Sequence, residues 1–130
     1  MKKLITVSLI LFLLTGCGKT IICKTKEGNV EEEYNIKYSG NDITKLSIKK
    51  TYKFDDVESF ENFENTINYT VLSLKQNNVK SSYKKKNKKY ILKQVYNIKN
   101  TNEEELKQYG LSKNKEELLN NLKTSGLICK

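Results

Sequence analysis

The chain has no histidine, arginine, proline, tryptophan or alanine. Without histidine, no side chain titrates near neutrality unless its surroundings shift it, so general base chemistry at neutral pH has no ready agent. Its few cysteines, with no histidine beside them, fall short of a zinc ligand set, and no metal or cofactor is expected. Without arginine, the planar fork that reads phosphates and base edges bidentately is missing, so nucleic acid is not an expected partner. There is no glycine-rich phosphate loop, and no internal repeat or low-complexity tract. No apolar run approaches the roughly twenty residues needed to cross a bilayer. What the chain has instead is lysine, asparagine, isoleucine and tyrosine. All 24 of its basic residues are lysine, against 15 acids. These are residues of AT-rich codons, so part of the lysine excess reflects coding bias.

The N-terminal stretch is the most informative. Lys2 and Lys3 precede an apolar run, Leu4 to Leu14, broken only by Thr6 and Ser8, and small residues follow. A basic start, a short apolar core and small residues at its end describe a secretory signal peptide. Leu14-Thr15-Gly16-Cys17 resembles a bacterial lipobox. That resemblance implies removal of residues 1–16 by cleavage between Gly16 and Cys17, and thioether-linked diacylglycerol on Cys17. It also implies residence at the extracytoplasmic face of the cell membrane. The alternative is an ordinary signal peptide with a chance cysteine.

Loss of residues 1–16 leaves 114 of the 130 residues, enough for one domain, and removes two lysines, so that 22 remain against 15 acids, a net +7. Residues 17–19 make a very short tether and residues 20–130 the domain. With Cys17 lipidated, Cys23 and Cys129 remain as an even pair on an oxidising side, and a disulfide between the first and last strands is expected. Two buried free thiols are the alternative.

Along the domain, Thr20 to Lys26 reads as a strand and Glu27-Gly28-Asn29 as a turn. Val30, Tyr34, Ile36 and Tyr38 share one parity, with Glu31, Glu33, Asn35 and Lys37 on the other; Glu32 is the exception on the apolar face. Ser39 to Asp42 is a turn. Ile43 to Phe54 places Leu46, Ile48, Tyr52 and Phe54 inward, and Lys45, Ser47, Lys49, Thr51 and Lys53 outward. At Asp55 the period changes. Asp55 is a candidate cap, and Val57, Phe60, Phe63, Ile67, Val71 and Leu74 mark one face of a helix from Asp56 to about Gln76. Val79 to Lys85 and Lys89 to Lys99 form a hairpin around Lys86-Asn87-Lys88. Thr101 to Glu104 is a capping box for a short helix ending at Gly110, and Ser112 a candidate cap for the last helix. The sum is an α+β fold: a mostly antiparallel sheet of five or six strands, one long amphipathic helix and short C-terminal helices.

This order of elements resembles the YehR-like small bacterial lipoproteins. The resemblance spans roughly Val30 to Lys130 and rests on Tyr34 to Tyr38, the helix after Phe54, and the ending from Leu118 to Leu127 with Ser125-Gly126. It implies an α+β domain of unassigned role on the outer face of the membrane, with no catalytic residues.

Three kinds of chemistry compete. The hairpin lysines Lys84, Lys85, Lys86, Lys88 and Lys89, with Lys80 and Lys93 nearby, suit contact with anionic lipid or a cell-wall polymer. Lysines on strands equally serve as guards against edge-to-edge pairing. The carboxylates Glu31 to Glu33 and Asp55 to Glu64 offer candidates for paired acids of a small extracellular enzyme. A groove between helix and sheet would suit a ligand-binding accessory of a transporter. The expectation is a non-enzymatic, membrane-anchored surface lipoprotein that binds the envelope, its protein partner unknown.

Overall fold

The computed structural model describes residues 18–130; the expected signal peptide and lipobox, Cys17 included, lie outside the described residues. Six strands, β1 (Lys19–Glu27), β2 (Val30–Ser39), β3 (Asp42–Lys53), β4 (Lys80–Lys86), β5 (Lys89–Tyr96) and β6 (Ile128–Cys129), form one antiparallel sheet. Three helices, α1 (Val57–Gln76), α2 (Glu103–Gln108) and α3 (Lys115–Thr124), complete the α+β architecture. The spatial order is β4-β5-β3-β2-β1-β6. The first three strands form a meander. The chain then crosses over through α1 to the far edge and returns as β5 against β3, and β6 finally closes on β1.

Alternation decides which side of the sheet is buried. Cys23, Ile36, Leu46, Ile48, Tyr90, Leu92 and Tyr96 fall on one face in register and are nearly all fully buried. Two clusters cover that face. One, built around Ile36, Leu46 and Tyr96, packs with Leu106, Leu111, Leu118, Leu122 and Leu127 from the C-terminal segment. The other is aromatic and lies with Ile67 and Val71 of α1: Phe54, Phe60, Phe63, Tyr52 and Tyr83 surround Tyr90. Tyr90 meets Phe60 at 4.6 Å and Phe63 at 5.4 Å between ring centroids, and its hydroxyl donates to the Phe60 carbonyl at 2.7 Å. The ring thus fills the core while its polar tip stays satisfied.

The local signals hold in kind but shift in place. The helix α1 starts one residue later than Asp55 predicts. Asp56 is the cap, accepting from the Ser59 amide at 2.7 Å, and Ser59 Oγ donates to the other Asp56 carboxylate oxygen at 3.0 Å. Asn102 rather than Thr101 caps α2, while Thr101 Oγ1 donates back to the Asn97 carbonyl. Asn114 rather than Ser112 caps α3; Ser112 instead accepts from the Asn114 amide and donates to Glu117. In each case the cap is the Asx residue immediately before the helix, whose side-chain oxygen accepts from an amide of the first turn. The apolar residues of α1 are also less one-sided than their spacing suggests. Val57, Tyr69 and Leu72 are exposed, Val57 standing in the first turn.

Two departures concern the sheet. Ile43 has the wrong parity for the core, yet it is 3 % exposed. A register shift between Lys37 and Tyr38 inserts Thr44 as an extra residue in β3, and Thr44 Oγ1 donates to the Lys37 carbonyl. The bulge turns Ile43 back toward the core. Thr51, expected to face outward, does so but is only 9 % exposed. It stands between Glu31 and Ile91 in register and between Lys49 and Lys53 along the strand. The β4–β5 turn is made by Asn87 and Lys88, both with positive φ (50° and 59°), as a two-residue hairpin requires. Lys88 stands where glycine would be easier, and its ammonium bonds the Asp55 carbonyl at 3.2 Å.

A disulfide joins Cys23 to Cys129, 106 residues apart. The two are direct partners across β1 and β6. The adjoining pair, Ile22 and Lys130, exchanges both backbone hydrogen bonds at 3.0 and 2.9 Å. Cys23 and Cys129 therefore occupy the closer, non-hydrogen-bonded position of the ladder. Because β6 has two residues, backbone pairing alone holds it weakly. Replacing Cys129 by Ser is expected to cost roughly 4 to 5 kcal/mol, the chain-entropy value for a loop of this length. Urea denaturation checks this, and adding a reductant should lower the wild type to the level of the variant without moving the variant.

Candidate functional site

The side of the sheet away from the core carries the other parity of every strand. Lys24 and Lys26 lie there on β1, Lys37 on β2, and Lys45, Lys49 and Lys53 on β3. Lys80, Lys84 and Lys86 on β4, Lys89 and Lys93 on β5, and Lys130 beside Ile22 complete the set. Twelve lysines therefore share this face with two acids, Glu31 and Glu33. The other side and the ends of the domain hold the remaining ten described lysines and all thirteen other acids. The whole positive excess of residues 18–130 thus resides on the open face, and the helical side is slightly negative.

Ion pairing within that face is limited to the two glutamates. Lys53 bonds Glu31 at 2.7 Å, Lys26 approaches Glu31 at 3.7 Å, and Lys49 approaches Glu33 at 3.9 Å. The Lys53 hydrogen bond, with the fields of Lys26 and Lys89, holds the Glu31 carboxyl below its ordinary range. In several places the register sets lysine directly against lysine: Lys53 against Lys89, Lys89 against Lys86, Lys49 against Lys93, and Lys37 against Lys45. Like charges directly opposite on adjacent strands destabilise a sheet.

The five hairpin lysines divide. Lys84, Lys86 and Lys89 belong to the open face. Lys85 turns to the helical side and bonds Glu64 at 2.6 Å, which raises its pKa, and Lys88 bonds the α1 entry at Asp55. Lys80 and Lys93 also lie on the open face. The three consecutive glutamates separate as alternation requires. Glu31 and Glu33 face the lysines, while Glu32 points to the core side, where it meets Lys50 at 3.6 Å. The acids from Asp55 to Glu64 lie at the start of α1 and do not join them. The lysines of β1, β2 and β3 are the part of the face that the sequence does not assemble. Each is visibly on an outward parity, but only strand order and register bring them together.

Two depressions flank the sheet edge at β1. On the open face, a groove of about 850 Å³ is lined by Ile22, Lys24, Lys26, Lys49, Thr51, Ile128 and Lys130, with Glu31 and Glu33. On the core side, a cleft of about 490 Å³ lies between Glu32, Tyr34 and Thr25 of the sheet and Tyr109, Asn121 and Leu122 of the C-terminal segment. Burial, reinforced by the Glu32 carboxylate, pushes the Tyr34 hydroxyl up to about 12, and the same causes raise Tyr52. Among the described residues there is no cluster of metal-ligating side chains, and no helix is long and apolar enough to cross a membrane. No family model matches the chain, and no curated protein or solved structure matches it.

Two outcomes follow. Tyr34 keeps its proton longer folded than unfolded, so its contribution to stability is complete below about pH 10 and lost as pH rises through about 12. Tyr34→Phe is expected to flatten that alkaline loss, measured as the urea midpoint against pH. Lys89→Glu places a carboxylate between Lys53 and Lys86 and is expected to stabilise the fold by about 0.5 kcal/mol, read in the same way.

Proposed function

We propose that the chain is a membrane-anchored extracytoplasmic lipoprotein, akin to the YehR-like group. Its domain is a non-enzymatic module that binds anionic envelope material through the open face of the sheet. Anchorage rests on the signal-like N-terminus and the lipobox at Cys17, and the kinship on the order and lengths of the elements. The binding reading is carried by one observation: twelve lysines and two glutamates on a single face of the sheet. Charge that merely aided solubility would be spread over the whole surface. Here thirteen of the fifteen acids lie off that face, and the long helix α1 acts as an amphipathic cover, aromatic and aliphatic toward the sheet and acidic in its first half. Each lysine near an anionic surface contributes about 1 kcal/mol, so even half of them suffices for firm, salt-sensitive attachment. The chemistry is that of phosphate-bearing anions, whether lipid headgroups or polymer.

The test is a lysine footprint of the full chain reconstituted in zwitterionic vesicles, with anionic lipid or a soluble polyanion then introduced. With a water-soluble acylating reagent, the open-face lysines are expected to lose most of their reactivity in at least one anionic condition. High salt should restore it. Lys75, Lys107 and Lys123 on the helical side should not change. Equal reactivity of both sets under every condition would sink the reading.

A further inference from the structure

We infer that the occupant of this face is a linear polyol-phosphate polymer laid along the strands and crossing the β4–β5 tip, and not the membrane that holds the anchor. This rests on the anionic reading above and adds direction to it. Lys19 opens β1 two residues after Cys17, so the lipidated position lies within about 7 Å of that end of the sheet. The densest cluster, Lys53, Lys89 and Lys86, sits in adjacent register at the opposite end, beyond the Glu27–Val30 turn. The nine residues of β1 separate the two ends by about 30 Å. That is more than three Debye lengths at physiological salt, so an anchor at one end does not by itself bring the tip lysines within reach of headgroups.

The tip is also held in place. The Phe54 amide bonds the Lys88 carbonyl at 2.9 Å, and the Lys53 amide bonds the Asn29 carbonyl at 2.9 Å. Between tip and anchor the face has a lysine at every second residue level, a step of about 7 Å: the tip trio, then Lys84, the Lys49–Lys93 pair, Lys80, and the Lys37–Lys45 pair. This is a continuous track for a flexible chain of evenly spaced charges. Among the lysines set directly against lysine, Glu31 and Glu33 pair only Lys53 and Lys49, and a phosphate seated between two ammonium groups removes their repulsion.

The experiment uses the full chain in zwitterionic vesicles, titrated with fluorescent poly(glycerol phosphate). The variant K53Q/K86Q/K89Q is compared with K75Q/K107Q/K123Q, which loses the same charge from the helical side. The wild type is expected to bind with an affinity that falls roughly a hundredfold between about 50 and about 200 mM salt. The tip variant should bind at least tenfold more weakly, and the helical variant within twofold of the wild type. Equal loss in both variants would reduce the effect to net charge and overturn the track. Protection of Lys53, Lys86 and Lys89 by anionic lipid alone would overturn the polymer as occupant while leaving the anionic reading standing. Tighter binding of single-stranded DNA of equal charge would overturn it in favour of a nucleic acid. Absence of binding to any polyanion would bring down both readings.

Discussion

Successive side chains of a strand point to opposite faces, and almost everything in this molecule follows from that constraint acting on six strands at once. One parity carries the isoleucines, leucines and tyrosines and must be covered; the other carries lysine and needs no cover. Burial of the first parity brings α1 and the C-terminal helices to the same side. Tyr90 is the clearest case. It is completely buried, stacked among three phenylalanines, and bonded by its hydroxyl to the backbone of α1. The helix that completes the core thus also exposes the opposite face of the sheet, so core and candidate surface are two results of one arrangement.

The core side is not covered evenly. The cluster around Ile36 and Leu118 takes in Leu74 of α1 as well as the C-terminal leucines, and Thr25 and Glu32 line the cleft between the sheet and the C-terminal segment. Glu32 and Lys50 neutralise one another there, each about a quarter exposed. A charged pair on an otherwise apolar face is tolerated because neither group is fully removed from water. Its influence reaches the neighbouring tyrosines, which hold their protons more firmly beside a carboxylate. The exception that Glu32 makes in the alternation therefore marks an opening in the cover.

Much of the fold was legible in the residues because local signals were strong. Alternation in β2 and β3, the change of period after Phe54 and the lysine-flanked hairpin placed elements within a residue or two, except that β5 ends at Tyr96, three residues before the expected Lys99. What the sequence did not show was non-local. The bulge at Thr44 reverses the parity of Ile43, and no residue type announces it. The caps moved because several Asx, Ser and Thr side chains compete within each helix entry, and geometry chooses among them. The candidate surface was half legible: the hairpin lysines stood out as a run, while Lys24, Lys37, Lys45 and Lys49 looked like ordinary solvated positions. Their meaning depends on β3 lying between β5 and β2, which only the assembled sheet supplies. Conversely Lys85 and Lys88, conspicuous in the run, are turned toward α1 and its entry.

The half-buried Ile22, Ile91 and Val95 that lie among the lysines suggest one last consequence. An antiparallel sheet with one free face is half of a sandwich, and two copies brought together through such apolar residues would bury them. Here the approaching faces would each carry ten net positive charges, and their repulsion opposes such pairing. That safeguard is conditional. A polyanion that neutralises both faces also removes the barrier between them, so near charge equivalence one polymer chain would gather many copies into a dense, salt-dissolvable layer. In that condition the domain would behave less as a receptor for single molecules than as a cross-linker of the polymer.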